Sequence, residues 1–74
     1  MRSPSSTHFT IETEQEENGL WIAEILEISG VLVYGNTRQQ AITKAQTLAL
    51  RVIADKLEHG EIDYGFTSLE FVAA

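Results

Sequence analysis

The sequence predicts an α+β fold in which a single helix covers one face of a small mixed sheet. Runs of alternating apolar and polar residues come before and after one long segment with helical periodicity. The element order is therefore β-β-β-α-β. Because a crossover through a helix is right-handed, the last strand is expected beside the first and parallel to it, which gives the sheet order 3-2-1-4. The other face of the sheet is left open.

The first two predicted strands form a hairpin. Residues 9–14, "FTIETE", alternate as a half-buried strand does, and "LWIAEILEI" continues the pattern over residues 20–28. Asn18-Gly19 between them is a strong hairpin signal because both residue types tolerate positive φ. Trp21 shares its phase with Ala23 and Ile25, which predicts a core position and not an exposed anchor.

Residues 31–35, "VLVYG", predict a short third strand, and "FTSLEFVAA" predicts a fourth over residues 66–74. In the fourth strand Leu69 and Phe71 are expected to point inward. Tyr34 is placed by its position in the chain against an end of the helix.

The helix is predicted from Thr37 to about His59. Its inner face is expected to carry the apolar residues that recur at helical spacing, namely Ile42, Ala45, Ala49, Val52 and Ile53, flanked by Ala41, Leu48 and Leu57. Thr37 is a suitable N-cap, and Gln40 stands where a capping box needs it. Gly60 is a suitable stop because glycine accepts a left-handed conformation. The junction "YGNTRQQA" has one glycine and no Lys-Ser/Thr pair, so it predicts a tight turn and not a phosphate-binding loop.

Composition narrows the class of protein. The 74 residues carry a net charge of −6, which disfavours direct contact with nucleic acid, and they include no cysteine. Residues 1–8 lack periodicity and predict a disordered segment, so the folded domain is assigned to residues 9–72. No run is apolar enough for a bilayer or a secretory signal, which predicts a cytoplasmic protein without membrane contact. A core this small favours self-association, most simply a homodimer formed through the edge strands three and four.

The open face of the predicted sheet is the candidate functional surface. Strand phase puts carboxylates there beside apolar side chains, Ile22, Leu26 and Phe66, a mixture that suggests protein docking. A solvated face with scattered apolar residues is the alternative. The carboxylates predicted to contact a partner are Glu12, Glu14, Glu24 and Glu70.

Three runs of the sequence resemble the HicB-like antitoxin family. They are "GLWIA" followed by "EISG" at residues 19–30, "GNTRQQA" at residues 35–41, and "LEHGE" at residues 57–61. The order and spacing match those of the family. Leu26 and Ser29 stand where the family usually has proline, and Gln40 stands where it usually has glutamate.

The resemblance implies a partial RNase H-like fold and an antitoxin that covers the active site of a small basic HicA-like ribonuclease, which cleaves mRNA. Occlusion of this kind involves no catalysis and no cofactor. Longer members of the family carry a C-terminal DNA-binding module. Because the sequence stops after the predicted fourth strand, that module and direct DNA binding are not expected.

Two other functions are weighed beside the antitoxin. One is a stand-alone regulatory or housekeeping domain of the same fold without a toxin partner. The other is a metal-dependent nuclease, because RNase H-like enzymes bind two metal ions through clustered carboxylates, for which Glu12, Glu24, Asp63 and Glu70 are the candidates. Outward glutamates on an alternating strand need no metal, so neither a metal site nor a catalytic residue is predicted.

Overall fold

The structure is a computed structural model that describes residues 6–60 and 68–74. Its elements follow the predicted order, with strands β1 Ser6–Gln15, β2 Trp21–Ile25 and β3 Leu32–Gly35, helix α1 Arg38–Glu58, and strand β4 Ser68–Ala73. The sheet order is β3-β2-β1-β4, with β4 parallel to β1 and the other pairs antiparallel. The predicted α+β class, sheet order and strand directions are confirmed.

Strand β1 begins earlier than predicted. Ser6 pairs with Ser68 and His8 with Glu70, so three residues assigned to a disordered segment belong to the sheet. Apolar and polar residues alternate only over residues 9–14, the part of β1 with one face towards the core, so the sequence pattern indicated only that part of the strand. The parallel partner extends the strand, because β4 supplies hydrogen bonds to backbone whose side chains carry no periodic signal.

The hairpin between β1 and β2 contains a longer turn than two central residues. Glu16 O accepts from the N–H of Gly19 at 2.9 Å, while Leu20 O accepts from the N–H of Glu16 at 2.7 Å. Within this turn, only Gly19 has a positive φ, at 91°. Asn18 instead uses its side-chain oxygen to accept from the N–H of Leu20 at 3.0 Å. This is the pattern of a tight turn followed by a left-handed glycine.

The core lies between α1 and one face of the sheet. It is built by fully buried strand residues, led by Ile11, Ala23 and Ile25, and by alanines at every fourth position of the helix, Ala41, Ala45 and Ala49. Trp21 packs against this core with part of its side chain exposed, and Phe9 stacks against Phe71 with ring centroids 5.8 Å apart. Small side chains on the inner stripe let the helix lie close to the sheet. Leu57, predicted to flank the core, is 44% exposed.

The start of α1 is fixed by its cap. Thr37 Oγ1 accepts from the N–H of Gln40 at 3.0 Å, and Gln40 Oε1 accepts from the N–H of Asn36 at 2.6 Å. The predicted capping box is therefore present, with the glutamine reaching one residue further back than usual. At the other end His59 is the C-cap, and Gly60 has φ 68°, as expected for a helix stop.

We expect Thr37→Ala to lower the free energy of unfolding by about 1 kcal/mol, because the N–H of Gln40 loses its acceptor. Thr47→Ala is the matched control, since Thr47 is an exposed threonine in the interior of the same helix and donates to Thr43 O at 2.9 Å. Urea denaturation of both variants measures the difference. Equal losses would show that the cap contributes nothing specific.

Candidate functional site

The side of the sheet that faces away from α1, here called the open face, has no second layer over it in the described part of the chain. Its side chains come from alternate positions of all four strands. Those of β1 and β2 include three glutamates, and those of β3 are apolar. As predicted, therefore, the open face mixes carboxylates with apolar groups.

Three of the four predicted contact residues lie together on this face. Glu12 stands opposite Glu24 in the β1–β2 ladder, and Glu14 stands opposite Ile22. Together with Ala74 they line an open depression of about 400 Å³. We call Glu12, Glu14 and Glu24 the acidic patch. Directly opposite residues have Cβ atoms about 4.5–5.5 Å apart, so the patch concentrates like charge at the centre of the sheet.

Glu70 lies on the open face but outside the acidic patch. It pairs with His8, four residues before Glu12 on β1, and its Oε1 is 2.9 Å from His8 Nδ1. At about 3.3 Å per strand residue, that places Glu70 roughly 13 Å from the level of Glu12. The structure thus gives Glu70 a local partner of its own, which the sequence pattern did not reveal.

Apolar side chains adjoin the acidic patch on the β3 side. Leu26 is 50% exposed, and Leu32 and Tyr34 are each 48% exposed. Tyr34 stands opposite Ile22, and Leu32 stands opposite Glu24. The expectation that Tyr34 packs against an end of the helix is wrong, because the alternation that turns Val33 and Gly35 inward directs Tyr34 outward. We call Leu26, Leu32 and Tyr34 the apolar patch.

The sequence indicated Leu26 as part of this surface but missed Leu32 and Tyr34. Strand β3 is only four residues long, and too short a run shows no clear period. Its inward phase is set by Gly35, against which the helix packs. Phe66, the remaining apolar residue predicted for the open face, lies outside the described residues.

Glu27 makes a contact that ties the turn after β2 to strand β1. Its Oε1 accepts from the N–H of Thr10 at 2.7 Å, and its Oε2 accepts from Thr10 Oγ1 at 2.9 Å. The backbone hydrogen bond from Thr10, the largest cause, holds the pKa of Glu27 below its usual value of 4.5. The sequence pattern placed Glu27 in the second strand, which it extended to residue 28, and assigned it no partner; β2 in fact ends at Ile25, which leaves Glu27 in the turn.

We expect Glu27 to give the fold a component of acid sensitivity. Since its pKa is lower in the folded state, the ionised carboxylate stabilises the protein above pH 4.5, and that contribution is lost as the pH falls through the folded-state pKa. Melting temperatures of wild type and Glu27→Gln should differ by a constant amount near neutral pH and converge in acid. Parallel curves down to about pH 3 would contradict this assignment.

The carboxylates considered for a metal-dependent nuclease are not all brought together. Glu12 and Glu24 are neighbours, Glu70 on β4 pairs with His8 near the start of β1, and Asp63 lies outside the described residues. Among residues 6–60 and 68–74, no group of three or more His, Asp or Glu side chains is arranged to hold a metal ion. Within the same described residues, no helix is both long enough and apolar enough to cross a membrane.

No family model, curated protein or solved structure matches this chain. The site consists of a patch of three carboxylates beside an exposed apolar patch, on the uncovered face of a four-stranded sheet.

Proposed function

We propose that this domain is a protein-binding module whose open face binds a basic partner. The observation that carries the proposal is the placement of Glu12, Glu14 and Glu24 side by side next to exposed Leu32 and Tyr34. Carboxylates attract and orient a cationic protein, and adjoining apolar groups supply the buried area that holds it. Tyrosine in particular is frequent at the centres of interfaces.

The sequence resemblance suggests the particular partner. A HicB-like domain of partial RNase H-like fold would act in the cytoplasm as an antitoxin, covering the active site of a small basic HicA-like ribonuclease and preventing mRNA cleavage. The net charge of −6 favours association with such a partner, since opposite charges raise the association rate. In this role the domain inhibits by occlusion, and it needs neither a cofactor nor a catalytic residue.

Reconstitution with the product of the adjacent reading frame tests the proposal. If that frame encodes a small basic protein, the purified pair should form a complex at low salt, and the domain should block cleavage of an mRNA by its partner. High salt should weaken the complex because exposed charges are screened beyond roughly 10 Å at 0.1 M ionic strength. Neutralising the acidic patch with Glu12→Gln, Glu14→Gln and Glu24→Gln together should weaken both binding and protection.

Three outcomes would count against parts of this proposal. A basic partner that binds but cleaves no RNA would remove the antitoxin role and leave the binding module. Binding unaffected by the triple variant would show that the open face is not the contact surface. If a pull-down from the native host retained no basic protein at low or high salt, the stand-alone domain would be the better account.

A further inference from the structure

The outer side of α1 carries an uncharged stripe that no described residue covers. Its five members are exposed, and they follow one another at alternating steps of four and three residues. They are Thr43, Thr47, Leu50, Ala54 and Leu57. Leu50 is 48% exposed and Leu57 is 44% exposed. Spacing of this kind keeps all five positions on one side of a helix and is the pattern by which two helices pack along a seam. We call these five residues the outer stripe.

A row of charged residues runs beside the outer stripe. Lys44, Arg51 and Glu58 are exposed and separated by seven residues each, so they line up along the helix. The sign of the charge changes along the row, from positive at Lys44 and Arg51 to negative at Glu58. Among the described residues, neither Lys44 nor Glu58 has an ion-pair partner.

This charge order fits an antiparallel copy of the same helix. If two copies aligned in parallel, each of the three charged residues would face its own equivalent. In an antiparallel pair centred between Leu50 and Arg51, Lys44 of each copy lies within one residue, about 1.5 Å along the axis, of the level of Glu58 of the other. Of the three charged residues, only Arg51 meets its equivalent near the two-fold axis. The same register sets Thr47 directly opposite Ala54, places Leu50 beside its equivalent, and brings Thr43 within one residue of the level of Leu57.

We propose that the outer stripe is a self-association surface, through which two copies of the chain form an antiparallel two-fold dimer. The contact is small. At about 1.5 Å per residue the stripe is about 22 Å long, and a helix is about 10 Å wide, so the buried area falls below the roughly 1,000 Å² of a permanent interface. The dimer is therefore in exchange with monomer, and its population depends on concentration.

This dimer leaves the open face available. The outer stripe lies on the side of α1 away from the sheet, so the acidic patches of both copies face outward. Self-association through α1 is independent of the proposed binding of a basic partner, and either can fail without the other. It also differs from pairing of the edge strands β3 and β4, which would extend the sheet.

Sedimentation of the full chain at increasing concentration tests the surface. Wild type should pass from monomer to dimer between about 10 μM and about 1 mM, the range of weak complexes. Leu50→Glu should raise the protein concentration at which half of the chains are dimeric at least about tenfold, because it buries like charges at the two-fold axis. Leu26→Glu is the matched control: Leu26 is 50% exposed on the opposite side of the protein, and its variant should dimerise as wild type does. Circular dichroism confirms that each variant is folded.

A charge exchange identifies the register. Lys44→Glu alone and Glu58→Lys alone should each weaken the dimer severalfold, and the double variant should restore it. Lys44 and Glu58 are about 21 Å apart along one helix, too far to pair within a chain, so restoration can arise only between copies.

Other results would overturn the proposal. A protein that stays monomeric at 1 mM has no such interface. A dimer unaffected by Leu50→Glu uses another surface, and its loss on introducing proline into β3 or β4 would assign it to a sheet edge. Single charge variants that weaken the dimer without rescue in the double variant would exclude the antiparallel register.

Discussion

Gly35→Ala should destabilise the fold by about 3 kcal/mol, the upper end of the usual cost of overpacking. A Cβ on Gly35 would lie 2.6 Å from the backbone nitrogen of Ala41 and 2.9 Å from its Cα. Because the obstructing atoms belong to the backbone of α1, no side chain can rotate away. The helix would have to lift from the sheet at its first turn, where Thr37 caps it.

Gly30→Ala is the control for this variant. Gly30 has φ 88° and open space where a Cβ would stand, so alanine there meets only conformational strain, worth about 1–2 kcal/mol. Urea denaturation followed by Trp21 fluorescence measures both variants. If Gly35→Ala cost less than Gly30→Ala, the helix would be able to move away from β3 freely, and the close packing would not be a constraint on the fold.

Glu24→Lys should have opposite effects on stability and on binding. Glu24 stands opposite Glu12 in the β1–β2 ladder, and directly opposed like charges are unfavourable. A lysine turns this repulsion into an attraction, so we expect the free energy of unfolding to rise by roughly 1 kcal/mol. Affinity for the proposed basic partner should fall at least about tenfold, mainly through slower association.

Such a divergence is expected where a surface is kept for binding at some expense of stability. Glu58→Lys provides the control, since it makes the same change of charge on the helix. At concentrations too low for self-association it should bind the partner nearly as wild type does. If Glu24→Lys lowered the free energy of unfolding, or left the affinity for the basic partner unchanged, the acidic patch would be an ordinary solvated surface.

The fold could be predicted because its signals are local and agree with one another. Asn18-Gly19 marks the hairpin, Thr37 and Gly60 bound the helix, and the right-handed crossover then places β4 beside β1. The start of β1 could not be predicted in this way. Ser6 is held by pairing with β4 from the far end of the described chain, and no nearby residue indicates that pairing.

The candidate site was predictable only in part for a similar reason. Alternation along β1 and β2 is enough to put Glu12, Glu14 and Glu24 on one face. Whether Glu70 of β4 joins them depends on the register between β4 and β1. Alternation along a strand does not determine that register, and in the structure Glu70 pairs with His8. Contacts that cross from a turn to a strand, such as that of Glu27, leave no periodic trace.

The parallel pairing of β1 with β4 has a consequence for synthesis of the protein. Strand β1 is synthesised before both of its neighbours in the sheet. Strand β2 follows at once, but β4 follows only after β2, β3 and the whole of α1. Until then the nascent chain exposes the β4-facing edge of β1, including the backbone around Phe9 and Ile11. The hairpin and helix can form during translation. The sheet is completed last, so the β4-facing edge of β1 stays open to other contacts until residues 68–73 are available to pair with it.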